Sequence, residues 1–427
     1  MLAAVVLLFG GLVGLSASWN AARPLIDPTR RYSPSWLPAM VVTELAPFWM
    51  LVHVAVLVAG VLLGGWTNWG GRVGVAMLAA SILLLVWIMV RTAMAVRRLR
   101  RLVAGPAHRT TGIARLVGRP VPTPPGVSET LGIEWVPGLT LDLTRPADGR
   151  SELPVVVYVH GGGWTGGDPQ RQARDMYHAL ALDGWATLAI RYPLAPDVSV
   201  EQQIEAVGDA VAWARTGGAE HGIEPSMVVL AGGSAGAHLA TMAALTAPDA
   251  DRRVSGVIGL YGIYDMANRH GQRAHWDMIR RDVMGVAVVE APERYDEVSP
   301  LVRISGDTPP MLIVHGTRDT LVPRRGAAVR RRVARGEASG RLRRRAGGTA
   351  CVRRGDRSRV TGDRRRDPDL AGSAASRERH VTALESVAST CWTAAGHAPF
   401  TEGGAARSGG TGRCHPEIAR PVPTATL

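Results

Sequence analysis

Short apolar runs alternate with stretches of helical periodicity between residues 131 and 315. Continuous apolar runs of strand length predict strands covered on both faces, and helices between such strands favour a parallel sheet. The strand-like runs are Leu153–Val159, Ala186–Tyr192, Met227–Ala231, Val254–Tyr261 and Met311–His315. The helical stretches are Arg171–Leu182, Val200–Arg215 and Ala235–Leu245. We therefore predict an α/β fold with a mostly parallel, doubly wound sheet, preceded by a hairpin over Leu131–Thr144.

Three longer apolar stretches open the chain. They are Met1–Trp19, Ala46–Trp66 and Val73–Val90, and none of them contains an arginine or an acidic residue. Because a bilayer-spanning helix needs about 20 apolar residues, we predict a transmembrane region of about three helices over residues 1–101. The first stretch also has the length of a signal sequence, although it lacks a basic start.

The basic residues that flank these stretches predict an orientation. Four arginines directly follow the third stretch: Arg97, Arg98, Arg100 and Arg101. Since arginine accumulates on the cytoplasmic side, we predict an integral protein of the cytoplasmic membrane with everything after residue 97 on the cytoplasmic side. Residues 102–130, rich in proline, then read as a linker to a folded domain over 131–323. Within that domain, residues 262–310 predict a small cap over the carboxyl ends of the strands.

The sharpest chemical signal is the pentapeptide Gly-Gly-Ser-Ala-Gly at residues 232–236. It follows a predicted buried strand and opens a predicted helix, which is the context of a strained elbow that exposes a serine hydroxyl. The helix amino terminus adds partial positive charge at the same point. This pattern favours Ser234 as a nucleophile over an ordinary glycine-rich turn.

Two further motifs stand at the ends of predicted strands. His-Gly-Gly-Gly-Trp at residues 160–164 supplies glycines whose N–H groups can approach a developing oxyanion, and no Gly-Lys-Ser/Thr follows that would indicate a nucleotide site. We interpret His160 as holding this loop rather than reacting. His-Gly-Thr-Arg-Asp at residues 315–319 places Asp319 where a carboxylate could orient an imidazole, or could merely form a turn.

These motifs, together with Ile-Arg-Tyr-Pro-Leu-Ala-Pro at 190–196, resemble the α/β-hydrolase superfamily. The resemblance covers about residues 131–323 and is greatest to hormone-sensitive-lipase-like carboxylesterases, including membrane-anchored actinobacterial members. It implies an α/β-hydrolase fold with Ser234 as nucleophile and Asp319 as triad acid. It also implies an oxyanion hole formed by the N–H groups of Gly162, Gly163 and Ala235. Many relatives have aspartate where this chain has Gly233.

The composition changes abruptly near residue 323. Residues 324–427 hold 22 arginines and nine acidic residues, so that residues 1–323 are neutral and the tail carries the whole net charge of +13. All three cysteines, Cys351, Cys391 and Cys414, lie in this tail, which excludes a disulfide-rich scaffold for the domain. We predict that residues 324–427 form a basic tail of low order, and that the α/β-hydrolase domain is incomplete.

The triad histidine that the resemblance implies is absent from its expected place. No histidine stands between Asp319 and His380, and the remaining candidates in the tail are His397 and His415. A one-base shift of the codons for residues 349–354 permits Gln-His-Ala-Phe-Asp, a sequence similar to the histidine loop of the family. We therefore hypothesise that the tail is read out of frame after about residue 323, and that the chain as written has little activity.

These observations predict a serine carboxylic ester hydrolase that acts through an acyl-enzyme on Ser234. A small-molecule or lipid ester is the expected substrate, with no cofactor and no metal. An amide or formamide hydrolase on the same scaffold is one alternative. The other is a non-catalytic membrane protein whose basic tail binds anionic lipid or nucleic acid, but the tail arginines show no helical stripe and few interleaved aromatics, so no nucleic-acid partner is expected.

Overall fold

The computed structural model describes residues 1–25, 35–102, 122–269, 277–305, 308–316, 319 and 425–426. Its amino-terminal part is helical: α1 (Leu2–Ala22), α2 (Trp36–Glu44), α3 (Ala46–Leu62) and α4 (Trp69–Leu102). Helix α1 and the Trp69–Met94 part of α4 are long and apolar enough to cross a membrane. These two helices support membrane association, while the predicted cytoplasmic orientation stays a prediction.

The second apolar stretch differs from a simple span. Helix α3 has 17 residues, and it meets the criteria for a span only together with α2, from which it is bent by 81°. Pro47, near the start of α3, explains the break, because a proline has no N–H to donate to the carbonyl four residues earlier and its ring clashes with that carbonyl. The pair is therefore a broken span or a re-entrant loop.

Small and polar residues join these helices closely. A Cβ atom on Gly11 would lie 2.7 Å from the Gly74 carbonyl oxygen, so α1 and α4 are in backbone contact there. Nearby, the hydroxyl oxygens of Ser18 and Ser81 are 2.8 Å apart, and Ser81 Oγ lies 3.1 Å from Nδ1 of His53 on α3. All three polar side chains are buried, so one hydrogen-bonded chain connects α1, α4 and α3.

The second part of the chain is an eight-stranded sheet in the order β1-β2-β4-β3-β5-β6-β7-β8. Its strands are β1 (Val127–Val136), β2 (Leu139–Pro146), β3 (Leu153–Val159), β4 (Ala186–Ile190), β5 (Ile223–Gly233), β6 (Gly256–Leu260), β7 (Met311–His315) and β8 (Ala425–Thr426). The β1–β2 and β2–β4 pairs are antiparallel, and the other pairs are parallel. The predicted hairpin and the mostly parallel sheet are confirmed, and the last residues of the predicted 102–130 linker belong to β1.

Helices cover both faces of this sheet: α5 (Arg174–Leu182), α6 (Val200–Thr216) and α7 (Ala235–Leu245). Alternate side chains of β3 point to opposite faces, as a strand requires. Val155 and Val157 belong to the core that includes Val207 of α6 and Leu239 of α7, whereas Val156 packs in the core with Leu180 of α5. The sheet is therefore buried on both sides, as the apolar runs predict.

A segment over residues 277–305, here called the cap segment, stands between β6 and β7 in the chain. It contains a π-helical turn (Ile279–Met284) and two short helices, α8 (Pro292–Glu297) and α9 (Pro300–Arg303). The buried Ser299 hydroxyl donates to the Tyr295 carbonyl at 2.6 Å and accepts from the Met266 N–H at 2.9 Å. Arg269 forms ion pairs with Asp265 and with Asp296, so the segment is tied to the residues that follow β6.

Candidate active site

Ser234 stands at the turn between β5 and α7 in an unusual backbone conformation. Its φ is 55° and its ψ is −119°, a combination that L-residues rarely adopt and that costs about 1–3 kcal/mol. The Ser234 N–H donates to the Leu260 carbonyl at 2.9 Å, which fixes the turn to the neighbouring strand β6. Ser234 is half-buried, and it stands at the carboxyl end of β5.

The glycines of this elbow are required by close backbone packing. A Cβ atom on Gly236 would lie 2.0 Å from the Val159 carbonyl oxygen, and one on Gly232 would lie 2.5 Å from the backbone of Gly236. No side chain can occupy either position without displacing backbone. The first turn of α7 is thereby pressed against the end of β3, from which the next loop begins.

That loop, which we call the oxyanion loop (residues 160–164), lies against the serine. A Cβ atom on Gly161 would stand 3.3 Å from Ser234 Cβ. Gly162 and Gly163 have φ values of 145° and 67°, which favour glycine. Within the described residues, no group accepts a hydrogen bond from the N–H of Gly162 or Gly163. The structure thus brings Gly162, Gly163 and Ala235 to one end of the sheet with Ser234.

Polar side chains fix the oxyanion loop by hydrogen bonds to its backbone. The Gln172 amide accepts from the Gly161 N–H at 2.9 Å and donates to the Gly161 carbonyl at 3.0 Å. His160 is buried, stacks on Tyr192 with ring centroids 4.4 Å apart, and donates from Nδ1 to the Gly161 carbonyl at 2.9 Å. Burial lowers the pKa of His160 despite that hydrogen bond, so the ring is neutral at pH 7. These contacts support the interpretation that His160 holds the loop.

Asp319 lies just beyond β7 and has a histidine partner. The Oδ2 atom of Asp319 is 3.3 Å from Nε2 of His315, the last residue of the strand. The Asp319 carboxylate is 18% exposed and the imidazole is buried, so His315 contacts the carboxylate from inside the domain. This pairing was not predicted from the sequence, where His315 was read only as part of the strand-end motif.

Tyr261 is a second residue near Asp319 that the sequence analysis did not single out. It follows β6, which lies between the strands that carry Ser234 and Asp319, and it has a positive φ of 42°. Although Tyr261 is 46% exposed, desolvation of its phenol and then the Asp319 carboxylate raise the pKa of the phenol, so the hydroxyl stays protonated. The apolar run placed Tyr261 at the end of the predicted strand Val254–Tyr261, whereas the strand ends at Leu260.

The candidate histidines His380, His397 and His415 lie outside the described residues. The basic tail also lies outside them, apart from the short strand β8. In the part of the chain that the structure describes, no group of three or more His, Cys, Asp or Glu side chains could hold a metal ion.

Comparison with known proteins shows what this region is similar to. The BD-FAE family model matches residues 141–329, the region that carries all five predicted site residues. The region has the α/β-hydrolase fold and is similar to esterases of the hormone-sensitive-lipase-like type. Among its relatives is "Esterase LipC" of Mycobacterium tuberculosis, 34% identical over 200 residues, which are 44% of this chain and 50% of that protein. "Esterase LipQ" of the same organism is 32% identical over 233 residues, which are 51% of this chain and 55% of that protein.

The chain spans about half the length of the curated relatives that it matches. A third relative, "Probable carboxylic ester hydrolase LipM" of M. tuberculosis, is 36% identical over 43% of this chain and 44% of its own length. A solved esterase of Thermogutta terrifontis is 26% identical over 50% of this chain and 79% of its own, with a TM-score of 0.40.

Proposed function

We propose that this α/β-hydrolase domain is a serine carboxylic ester hydrolase in which Ser234 forms the acyl-enzyme. The observation that carries the proposal is the strained Ser234 elbow, held against an oxyanion loop whose Gly162 and Gly163 N–H groups have no acceptor within the described residues. The names of the relatives, all esterases or ester hydrolases, support the ester class.

In the proposed reaction, Ser234 Oγ attacks the ester carbonyl carbon and its proton passes to a base. The carbonyl oxygen becomes an oxyanion that the N–H groups of Gly162, Gly163 and Ala235 stabilise; one such donor is worth about 3–4 kcal/mol in the transition state. The ester C–O bond breaks as the base returns that proton to the leaving oxygen, and the neutral alcohol departs. Water then cleaves the acyl-serine ester and releases the acid.

The base in relatives of this type is a histidine oriented by the acid, here Asp319. Without an imidazole at that place, binding and the oxyanion hole alone leave about 10³–10⁴-fold catalysis over water. We therefore expect the chain as written to be acylated at Ser234 by activated esters, but to turn over slowly.

The test is acylation of the full chain, purified in detergent, by p-nitrophenyl butyrate, with the modified residue identified by peptide mass spectrometry. We expect butyrylation of Ser234, its loss in Ser234→Ala, and its retention in Ser305→Ala, an exposed serine of the cap segment. Acylation at other residues, unchanged by Ser234→Ala, would refute the proposal. Butyranilide, which carries the same acyl group, tests the amidase alternative. An amidase would be acylated at Ser234 at comparable rates by butyranilide and by p-nitrophenyl butyrate.

A further inference from the structure

One histidine links three parts of the domain through two hydrogen bonds. The indole N–H of Trp164, in the oxyanion loop, donates to Nδ1 of His238 at 3.1 Å. On the other side of the ring, Nε2 of His238 lies 2.7 Å from the carbonyl oxygen of Val298, in the cap segment. His238 itself lies one turn after the serine on α7, where its N–H donates to the Ser234 carbonyl at 3.2 Å.

The partners determine the protonation of this ring. An indole can only donate, so Nδ1 accepts, and a carbonyl can only accept, so Nε2 donates. His238 therefore carries its single proton on Nε2. Both Trp164 and His238 are completely buried, and their rings meet edge to face with centroids 5.4 Å apart. Loss of either hydrogen bond would leave a buried polar group without its partner, which proteins tolerate poorly.

Trp164 is also held at its backbone. Its carbonyl accepts from the Ala195 N–H at 3.0 Å and from the side-chain amide of Gln203 at 2.9 Å. Its φ of 66° is unusual for a non-glycine residue. Residue 164 thus fixes the end of the loop that begins with Gly161–Gly163, and the orientation of its indole depends on His238.

We propose that His238 is a positioning residue: its Nδ1 holds the indole of Trp164 and thereby the oxyanion loop, while the Val298 carbonyl keeps the ring proton on Nε2 so that Nδ1 can accept. This inference rests on the proposed function. Without an acceptor at Nδ1, the Trp164 indole would leave its place, and the neighbouring Gly163 N–H would move with it. Because oxyanion donors must stay within about 0.5 Å of their productive position, a small displacement lowers the rate of acylation.

Two variants of His238 separate its two hydrogen bonds. The amide oxygen of His238→Asn can accept from Trp164 in place of Nδ1, whereas the longer His238→Gln can donate to the Val298 carbonyl but leaves the indole without its acceptor. Trp164→Phe removes the same indole hydrogen bond from the other side. All three are made in the full chain, and their melting temperatures are measured with the kinetics.

The readout is the rate of Ser234 acylation by p-nitrophenyl butyrate at saturating and at low ester concentration. We expect a fall of about 10–100-fold in the saturating rate for His238→Gln and Trp164→Phe, with half-saturation unchanged, and a fall of less than about threefold for His238→Asn. The double variant Trp164→Phe/His238→Gln should be no slower than either single variant. Equal rates for Asn and Gln, or rates that follow melting temperature alone, would overturn the proposal.

Amide hydrogen exchange of the peptide that contains residues 160–164 tests the same proposal without catalysis. We expect faster exchange in His238→Gln and Trp164→Phe and parental exchange in His238→Asn; unchanged exchange in all three would overturn it. If the parent chain is not acylated at Ser234, the proposed function fails, while exchange still decides whether His238 positions the loop.

Discussion

The Tyr261 hydroxyl oxygen lies 2.7 Å from the point where a Cβ atom on Gly233 would stand, and Cζ of the same ring lies 3.0 Å from it. Tyr261 therefore occupies the space beside the serine elbow that a side chain at residue 233 would need. This contact gives a physical account of glycine at the position where many relatives have aspartate. The two residues are complementary, so a change at one depends on the other.

Gly233→Ala should destabilise the domain by about 1 kcal/mol, the lower end of overpacking costs, because the end of the tyrosine side chain can move. In the Tyr261→Ala background, Gly233→Ala should destabilise the domain by less, because the tyrosine ring that the new methyl group would meet is absent. Urea unfolding of the four proteins of this cycle gives the coupling free energy. An equal cost of Gly233→Ala in both backgrounds would contradict the contact.

Glu129 should make the domain sensitive to acid. Burial acts to raise the pKa of this carboxyl, but hydrogen bonds from Arg174 at 2.6 Å, Thr123 and His178 outweigh it, and the pKa falls from 4.5 to about 2. A carboxyl with a lowered pKa in the folded state stabilises the protein above its unfolded pKa, and this contribution is lost as the pH falls from about 4.5 to about 2.

We therefore expect Glu129→Gln to lower the free energy of unfolding at pH 7 by about 1.5–3 kcal/mol, the range for hydrogen bonds to charged groups. The difference from the parent should shrink between pH 4.5 and pH 3. Denaturant unfolding across this pH range measures it, with the exposed Glu220→Gln as control. A difference that does not depend on pH would exclude this role for the charge.

The Ser18–Ser81 hydrogen bond should stabilise the membrane helices. Ser18→Ala and Ser81→Ala, alone and together, form a cycle whose coupling free energy should be about 0.6–1.7 kcal/mol, as for other hydrogen bonds between membrane helices. Thermal unfolding in detergent is the measurement. Ser16→Ala, on the exposed face of the same helix, should have no effect. Strict additivity of the two serine substitutions would show that the hydrogen bond contributes nothing.

Restoring the reading frame after about residue 323 should restore turnover. The shifted codons permit a histidine near position 350, and a positioned general base contributes about 10²–10⁴-fold. The test compares steady-state hydrolysis of p-nitrophenyl butyrate by the chain as written and by the chain with the restored frame. Asp319→Asn in the restored chain is the control. Rapid Ser234-dependent hydrolysis by the chain as written, or a nucleotide sequence that shows no slip relative to close relatives, would reject the frameshift.

Much of the fold could be predicted because local signals coincide with its boundaries. Strand β3, helix α7 and strand β7 begin and end where the sequence predicts, since glycine-rich turns or the serine elbow stand at their ends. The bend between α2 and α3 was not predicted, because the prediction for this stretch rested on hydropathy alone. Pro47 marks the break. Strand β5 extends on both sides of the predicted Met227–Ala231, because its pairing with β3 includes Ile223 and Gly232.

The candidate site could be predicted only where one short motif contains the chemistry. Ser234 and the oxyanion loop belong to such motifs. The contacts of His315 with Asp319, of Tyr261 with Gly233 and of His238 with Trp164 depend on where strands and helices pack, and neither residue type nor spacing reveals them. Such contacts decide how firmly the motif residues are held.

The order of strands has a mechanical consequence. Strand β1 is the first strand of the sheet and forms one of its edges. A force applied to the residues that join the domain to the apolar amino-terminal helices therefore acts first on this edge strand. There Glu129 is held by Arg174 and His178 of α5, which resist peeling of the strand. Three strands, β2, β4 and β3, separate this edge from β5. A displacement that starts at the β1 edge must therefore cross three strands before it reaches the serine elbow.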